Sequence, residues 1–391
     1  MNHQQYDIII AGAGASGLIL LNELLKSTLS DHRILLIDRS FSEDIRKTWS
    51  FWSRSTPHFP DLYHRWNRLS VQSFGREIRE ELLSFCYYSV ESDVYRDRVL
   101  RSARRFPNTT LLETDIEHFP EPSTGGPGMV KTSSGLYHAD WVFQSIQKPP
   151  HWSKARVSNR LIQHFTGWRV QTHTDRFDPG EVVLMDMDIP QRDGLTFFYL
   201  LPYSEREALV EYTLFSEEPV QRCIYEEEIR SYLSSRYGLS NNDYRVFKSE
   251  YGEIPMEDRA IDSQFNSRTY SIGEAGGLTK PTTGYTFSRM SAYAKQIVKS
   301  LEKGERPPSW NGSSYRFRVY DLLLLNLLCS EPDAGRHVFH RLFSENSMET
   351  VLIFLNEETH LSEELQIFSK MPYGPFFRSI VRMSPRILSG A

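Results

Sequence analysis

The sequence predicts an α/β fold in which a nucleotide-binding domain with parallel strands is interleaved with an antiparallel-sheet domain and followed by a helical region. Three observations lead to this prediction. The chain opens with a strand, a glycine-rich turn and an apolar helix. Its middle part contains consecutive strand patterns without intervening helices, which is typical of an antiparallel sheet. Residues 303–391 carry apolar residues at helical spacing.

The opening element is a short apolar strand that runs into a glycine-rich turn and a buried helix. Residues 12–17 read G-A-G-A-S-G, and a second apolar strand ends on an acidic residue. In this pattern the glycines permit a tight turn and a close approach to a pyrophosphate, while the acid accepts hydrogen bonds from a ribose. An ordinary glycine-rich turn between a strand and a helix is the alternative. The sequence predicts a Rossmann-type dinucleotide site at Gly12, Gly14, Ala15, Ser16, Gly17 and Asp38.

A second strand, glycine loop and helix lies in the last third of the chain. A short strand at residues 270–272 precedes the loop, and a helix is predicted from Ser288 to Glu302. Two such elements suit a long cofactor with two ends to hold, so FAD fits better than NAD. A plain turn between strand and helix is again the alternative. The predicted cofactor contacts of this loop are Gly273, Glu274, Gly276 and Gly277.

Boundary signals divide the chain into three predicted parts. The pair Pro149–Pro150 marks a change from the first pattern to a run of strands. We expect a discontinuous FAD-binding domain at residues 1–150 plus 250–302. An antiparallel-sheet substrate domain is predicted at residues 151–249, and a helical C-terminal region at residues 303–391.

The bulk composition excludes several kinds of function. The 391 residues carry a net charge of −5 with acids and bases mixed, so no nucleic-acid partner is predicted. Three widely spaced cysteines fit a reducing cytoplasm, and the histidines form no ligand pair, so no metal site is predicted. The aromatic content of 13 % suits either a bulky core or a pocket for a large apolar or cationic species. The composition does not predict an oligomeric state.

Several segments, taken together and in order, resemble the bacterial lycopene β-cyclase family. Residues 48–52, T-W-S-F-W, look like the family's T-W-C-F-W, and residues 184–186 resemble the start of its L-M-D-F-R element. Residues 199–213 resemble Y-x-L-P-x-S…L-V-E-x-T, and residues 252–256 match G-x-I-P-M. The longest match is residues 276–287, G-G-L-T-K-P-T-T-G-Y-T-F. The resemblance covers nearly the whole chain.

One segment departs from the family pattern. Where the family usually has F-D-S-R, residues 143–146 read F-Q-S-I, so an ion pair at this place is not carried over.

The resemblance implies an acid-initiated cyclisation of the ψ-ends of lycopene, or of related linear carotenoids, to β-ionone rings. The products are γ-carotene and then β-carotene. This is an isomerisation by an intramolecular lyase without net redox change, yet the resemblance implies reduced FAD, with NADPH as reductant. The implied substrate pocket comprises Trp49, Phe51, Trp52, Thr282, Thr283, Tyr285 and Phe287.

Because lycopene is soluble only in membranes, the resemblance also implies peripheral association with the inner, cytoplasmic face of the cell membrane. No apolar run is long enough to span a bilayer. Residues 375–382 combine an apolar stripe with two arginines, which suits docking on an anionic membrane surface. A helix packed on its own protein is the alternative.

Glu211 is the predicted acid. Its face of the strand also carries Leu209, Thr213 and Phe215, which are mostly apolar, so desolvation would raise the pKa of its carboxyl and keep it protonated. On spacing alone, a solvent-facing glutamate is the alternative, and the family resemblance favours the catalytic role. Asp186 is a second candidate, although it shares its face with Asp188 and paired acids on one face are more often solvated.

Two other functions fit parts of the sequence. An FAD/NADPH-dependent aromatic hydroxylase-type monooxygenase would share the first motif and the fold. Such enzymes usually carry A-D-x-V-V-G-A-D-G where residues 139–145 read A-D-W-V-F-Q-S, which disfavours this function. A non-catalytic carotenoid-binding flavoprotein would bind lycopene and leave it unchanged.

Overall fold

The computed structural model describes residues 5–42, 47–154, 156–192, 194–259 and 261–388. Within these residues the chain forms seventeen strands in three sheets, together with nine α-helices. In chain order, the strands are β1 (Gln5–Ala11), β2 (Ile34–Asp38), β3 (Thr48–Ser53), β4 (His64–Trp66), β5 (Arg68–Ser73), β6 (Arg76–Glu81), β7 (Cys86–Glu91), β8 (Thr109–Glu113), β9 (Ile116–His118), β10 (Gly128–Thr132), β11 (Gly135–Gln144), β12 (Arg160–Thr172), β13 (Glu181–Asp186), β14 (Leu195–Pro202), β15 (Glu207–Ser216), β16 (Tyr244–Glu257) and β17 (Thr269–Ser271). The helices are α1 (Ala15–Leu25), α2 (Ser92–Ala103), α3 (Arg222–Tyr237), α4 (Phe287–Glu302), α5 (Tyr315–Ser330), α6 (Pro332–Ser344), α7 (Met348–Leu355), α8 (Leu361–Ser369) and α9 (Tyr373–Leu388). These elements confirm the predicted α/β fold with a helical C-terminal region.

The first sheet carries the glycine-rich turn. Its strands lie in the order β8-β2-β1-β11-β10-β9, and β17 joins it as a parallel neighbour of β11. The nearly continuous apolar sequences of β1 and β2 suit parallel strands that are covered on both faces, as they are here. Helices α1 and α4 pack together over one face. Both glycine elements therefore lie at the carboxyl edge of the parallel strands, where α/β folds bind ligands.

The second sheet presents one face to the rest of the molecule. Its strands lie in the order β16-β12-β15-β14-β13-β5-β6, and all described pairs are antiparallel except β5 with β13. One face packs on α3. The opposite face contributes to a core shared with helices α5 to α8. We call this opposite face the inner face.

Residues 68–81 depart from the predicted domain organisation. They lie within residues 1–150, the first part of the predicted FAD-binding domain, yet β5 and β6 extend the second sheet. The parallel pairing of β5 with β13 joins segments far apart in the chain, and such a pairing leaves no local sequence pattern. The rest of the three-part division stays a prediction.

A small third sheet in the order β3-β7-β4 lies between the two larger ones. Strand β3 contains the aromatic segment and packs beside α4 of the first unit. On the other side, the Trp66 indole N–H donates to the backbone oxygen of Pro202 in the second sheet, at 2.9 Å. The third sheet therefore contacts both larger sheets' units, through β3 on one side and β4 on the other.

The C-terminal helices cover the inner face of the second sheet. Helices α5 to α9 confirm that residues 303–391 form a mainly helical region. Both arginines predicted on α9, Arg378 and Arg382, pair with Glu331. In the described part of the chain, every helix is too short or too polar to cross a membrane.

Candidate active site

One continuous cavity of about 560 Å³ joins the first sheet to the inner face of the second. Its first end is lined by residues of the glycine turn and β2, namely Ala13, Gly14, Ala15, Ser16 and Asp38. Its second end is lined by two carboxyls and by aromatic side chains, among them Glu211, Glu250, Tyr87, Phe197, Tyr199, Phe215, Phe339 and Phe343. A ligand that fills the cavity would touch both the glycine turn and Glu211.

The glycines of the first turn have distinct steric roles. Gly12 has φ +107°, and a Cβ on Gly17 would lie 1.9 Å from the carbonyl oxygen of Gly12, so α1 and β1 approach too closely for any side chain. A Cβ on Gly14 would meet no described protein atom within 4 Å. Open space at Gly14, beside the free N–H groups at the start of α1, fits the pyrophosphate of a dinucleotide such as FAD.

Asp38 lies at the end of β2 and lines the first end of the cavity. Its carboxylate accepts hydrogen bonds from the backbone N–H groups of Ala13 and Ser40, so it ties the glycine turn to the second strand. Two basic side chains, Lys47 and Arg96, also line the cavity and were not predicted from the sequence. Lys47 directly precedes the T-W-S-F-W segment of β3, and Arg96 lies on α2.

The second glycine loop packs against the first. Gly273 has φ +65°, and a Cβ on it would lie 2.5 Å from the hydroxyl oxygen of Ser16. A Cβ on Gly276 would lie 2.3 Å from the backbone oxygen of Ser271, so this glycine serves the tight turn itself. Of the four predicted contacts in the loop, Glu274 is the one that lines the described cavity. Burial raises the pKa of its carboxyl.

Glu211 lies at the second end of the cavity, in the middle of β15. Its side chain is buried, with 9 % of the residue exposed, and its carboxyl accepts a hydrogen bond from the Thr213 hydroxyl at 2.9 Å. Burial, and next the charge of Glu250, raise the pKa of Glu211 to about 8. The desolvation expected from its apolar strand face is therefore present, and the carboxyl is protonated at neutral pH.

Three tyrosines surround this end of the cavity. The hydroxyl groups of Tyr87 and Tyr199 are 2.8 Å apart and hydrogen bonded. Tyr285 also lines the cavity. Burial raises the pKa of each of the three phenols, so they remain neutral. Of the three, only Tyr285 was predicted as a pocket residue from the sequence, because Tyr87 and Tyr199 come from strands β7 and β14 of different sheets.

The predicted substrate-pocket residues fall into two groups. Trp49, Thr283, Tyr285 and Phe287 line the cavity. The other three pack behind it, so the structure does not bring them to the cavity wall. Phe51 stacks on Phe287 with ring centres 4.5 Å apart, and Trp52 meets Tyr285 edge-on at 4.5 Å. Thr282 donates to the buried Asp321 carboxylate at 2.7 Å.

The structure also does not bring Asp186 to the cavity. In the strand register Asp186 lies beside Phe198, which lies beside Tyr212, and these two rings pack on the α3 face. Asp186 is buried there rather than solvated, and its carboxylate accepts a hydrogen bond from the Tyr232 hydroxyl of α3 at 3.0 Å. Glu211 faces the opposite side of the sheet, so the two acids do not share a site.

At the position of the aspartate in the family's F-D-S-R, this chain has the neutral residue Gln144. The buried Gln144 amide oxygen accepts hydrogen bonds from the N–H groups of Ile146 and Gln147, each at 2.8 Å, and its amide nitrogen donates to the Gln147 backbone oxygen. The amide therefore holds the loop that follows β11 through neutral hydrogen bonds.

Comparison with protein families identifies the family. The model described as lycopene cyclase protein matches residues 7–381. The chain belongs to the lycopene cyclase family. It is 27 % identical over 332 residues to a lycopene beta-cyclase of Paracoccus sp. (strain N81106 / MBIC 01143), covering 81 % of this chain and 78 % of that protein. It is 25 % identical to the lycopene beta-cyclase of Pantoea ananas, covering 75 % and 74 %. Family membership and these relatives support an enzyme of carotenoid cyclisation.

Solved structures share the fold at low sequence identity. A p-nitrophenol 4-monooxygenase from Pseudomonas putida superposes with a TM-score of 0.60 at 11 % identity, covering 93 % of this chain and 96 % of that one. A geranylgeranyl bacteriochlorophyll reductase-like protein from Thermoplasma acidophilum gives 0.59 at 12 % identity, covering 99 % and 98 %. These similarities concern the fold alone, and they agree with the predicted Rossmann-type architecture.

Proposed function

We propose that the protein is a lycopene β-cyclase that converts the ψ-ends of lycopene into β-ionone rings, first to γ-carotene and then to β-carotene. The observation that carries the proposal is the buried Glu211 at the apolar end of a cavity that begins at a dinucleotide-type glycine turn. The reaction isomerises a hydrocarbon, so it needs a proton donor and a dry pocket rather than a hydrolytic or redox centre in the protein.

Glu211 supplies the proton. With its pKa raised to about 8, its carboxyl is protonated at neutral pH and donates to the terminal double bond of the substrate. The tertiary cation that forms is attacked by a neighbouring double bond, which closes the ring. Loss of a proton from the new ring carbon then gives the β-ionone product. One proton is added and one is lost, so the hydrocarbon keeps its formula.

Aromatic walls stabilise the cation without trapping it as an adduct. Phe197, Phe215 and Tyr199 line the cavity with Glu211, and the face of an aromatic ring attracts a cation. None of these rings carries a nucleophile stronger than a neutral phenol. The same apolar walls exclude water, which would otherwise capture the cation as an alcohol.

The first end of the cavity would hold FAD. Gly14 and the N-terminus of α1 suit the pyrophosphate, and Asp38 suits the ribose. When bound in the reduced form, with NADPH as the ultimate reductant, FAD would supply negative charge near the developing cation without net electron transfer. The basic side chains Lys47 and Arg96 would balance the phosphate charge.

We also propose a peripheral membrane location, on the inner face of the cell membrane, with α9 as the contact. Phe377, Val381 and Leu388 of this helix are exposed, whereas its arginines Arg378 and Arg382 are paired with Glu331. Insertion of apolar side chains therefore supplies most of the affinity. Phe377→Ser should weaken flotation with phospholipid vesicles, and unchanged flotation would contradict this contact.

An anaerobic assay tests the proposed reaction. Purified protein, lycopene in phospholipid vesicles and dithionite-reduced FAD should give β-carotene by chromatography, with γ-carotene as an intermediate. Equal activity with oxidised FAD would contradict the role given to the reduced cofactor. Recovery of unchanged lycopene would favour a carotenoid-binding flavoprotein, and oxygenated products formed only in air would favour a monooxygenase.

A further inference from the structure

A second carboxyl, which the proposed mechanism does not use, lies beside Glu211. Glu211 of β15 and Glu250 of β16 both pair with Gly167 of the intervening strand β12. Residues in one such row point to the same face of a sheet. The two carboxyls therefore flank a position that has no side chain. Both line the same cavity.

The side chain of Glu250 occupies the space above this glycine. A Cβ on Gly167 would lie 3.2 Å from Cγ and 3.4 Å from Oε1 of Glu250. The carboxyl thus leans across β12, in the direction of the strand that carries Glu211. The same Cβ would lie 3.0 Å from Cδ1 of Leu209, so side chains from both neighbouring strands fill the space above Gly167.

The two carboxyls have different surroundings. Glu250 accepts a hydrogen bond from the backbone N–H of Thr48 at 2.7 Å. Burial raises the pKa of Glu250, while the nearby cation Lys248 and the Thr48 N–H oppose that rise. Glu211 has the hydroxyl of Thr213 as its hydrogen-bond partner. A backbone N–H and a cation favour an ionised carboxylate, whereas a hydroxyl serves a neutral acid equally well. The ionised form is therefore better accommodated at Glu250.

We propose that Glu211 and Glu250 share one proton across Gly167, with Glu211 protonated and Glu250 ionised. Glu250 is then a positioning residue: its negative charge keeps the proton on the acid that faces the substrate. The inference rests on the proposed role of Glu211 as proton donor. It agrees with the raised pKa of Glu211, to which burial contributes most and the charge of Glu250 next. Two buried carboxyls with unequal environments commonly divide in this way.

Other titratable groups face the pair from the neighbouring elements. Beside Glu211 they are the phenols Tyr87, Tyr199 and Tyr285, and beside Glu250 they are Lys248, Glu91 and Tyr203, with Glu253 further along the cavity wall. Burial raises the pKa of all four phenols, and Lys248 is paired with Glu91 at 3.0 Å. Arg169, the next residue of β12 on the face of Gly167, pairs with Glu91 and Glu207. Glu274, whose pKa is also raised by burial, lines the same cavity. A titration near pH 8 is therefore assigned to Glu211 only if it is lost in Glu211→Gln.

The pH profile of cyclisation tests the proposal. In Glu250→Gln the amide oxygen still accepts the Thr48 N–H, but the charge is lost. The alkaline limb of the rate should therefore move to lower pH by about one pH unit, with the rate at low pH retained. Glu250→Asp keeps the negative charge, so its alkaline limb should lie at the wild-type pH. Glu227→Gln, an exposed change on α3, is the matched control and should leave the profile unchanged.

A second readout is independent of turnover. In the FAD-loaded protein, the infrared carbonyl band of protonated Glu211 can be identified by its loss in Glu211→Gln and then titrated. The pH midpoint of this titration should be lower in Glu250→Gln than in the wild type and unchanged in Glu227→Gln. An unchanged midpoint in folded Glu250→Gln, or no protonated Glu211 at neutral pH, would overturn the proposal. If the wild type failed to convert lycopene while the band still shifted, the proposed function would fail and the proton sharing would stand.

Discussion

Burial keeps the Glu211 carboxyl protonated at neutral pH. An exposed glutamate is ionised at neutral pH and cannot protonate an alkene, whereas Glu211 lies among apolar side chains with a second acid nearby. Burying this carboxyl lowers the free energy of unfolding at pH values above the usual pKa of a glutamate. The unfolded chain would release the proton above the usual pKa of 4.5, while the folded protein keeps it up to about pH 8.

The stability of Glu211→Gln should reveal this cost. Between pH 4.5 and 8 the unfolded state binds fewer protons, so the free energy of unfolding of the wild type falls as pH rises through this window. Glutamine does not titrate. The stability gain of Glu211→Gln should therefore grow from about 1 kcal/mol near pH 5 to about 3 kcal/mol near pH 7. Urea unfolding at the two pH values measures it, and a gain independent of pH would contradict the raised pKa.

Whether sequence reasoning finds a residue depends on how local its constraints are. The desolvation of Glu211 follows from its own strand, because its neighbours on one face, Leu209, Thr213 and Phe215, are mostly apolar. Its relation to Glu250 depends on the register of three strands that meet at Gly167. Asp186 shows the reverse case: its segment resembled the family motif, but the register turns its side chain toward α3. Motif and strand alternation alone do not decide which face is the inner one.

At the scale of elements, the strand–turn–helix unit was the most predictable part of the fold. Its glycines act through contacts within a few residues, so their spacing alone indicates the conformation. The β5–β13 pairing had no such local signal and extended the second sheet beyond its predicted limits. The helix predicted from about Ser288 to Glu302 is α4, Phe287–Glu302, which agrees within the one or two residues to which helix ends are defined.

Two alanine substitutions in the first turn should differ in their effects on stability and on FAD affinity. In Gly17→Ala the new methyl group would collide with the Gly12 carbonyl, so α1 must move from β1 and the protein should lose stability and FAD together. In Gly14→Ala the methyl group meets no described protein atom within 4 Å, so the fold should persist.

Only FAD affinity should fall in Gly14→Ala, because the methyl group would occupy the space proposed for the pyrophosphate. Thermal unfolding of the apoprotein and flavin titration separate the two effects. Wild-type FAD affinity in a folded Gly14→Ala variant would contradict the assignment of this space to the cofactor.

At the scale of the whole molecule, a buried charge cluster ties the C-terminal helices to the cavity. Lys280 pairs with Asp321 of α5 at 3.0 Å and with Glu357, just after α7, at 2.9 Å. Burial by itself would raise the pKa of Glu357, but Lys280 and Arg289 together hold it below its usual value. The loop that supplies Tyr285 to the cavity is thereby fixed against the helices that cover the inner face.

Replacing Lys280 should therefore destabilise the folded protein. Lys280→Met leaves the buried Asp321 and the partly buried Glu357 with fewer counter-charges and should lower the free energy of unfolding by about 3–5 kcal/mol. Lys295→Met, on the exposed side of α4, is the matched control and should change it by less than about 0.5 kcal/mol. Urea unfolding compares them, and equal effects would show that the cluster contributes nothing specific to stability.

The central claim is that Glu211 starts a cyclisation by adding a proton. It is tested most directly by running the anaerobic reaction in D₂O and measuring the mass of the product. The carboxyl exchanges with solvent, so each ring formed should carry one added deuterium in place of one lost hydrogen, and Glu211→Gln with FAD bound should form no rings. Rings without deuterium, or deuterated β-carotene from Glu211→Gln at the wild-type rate, would contradict the account.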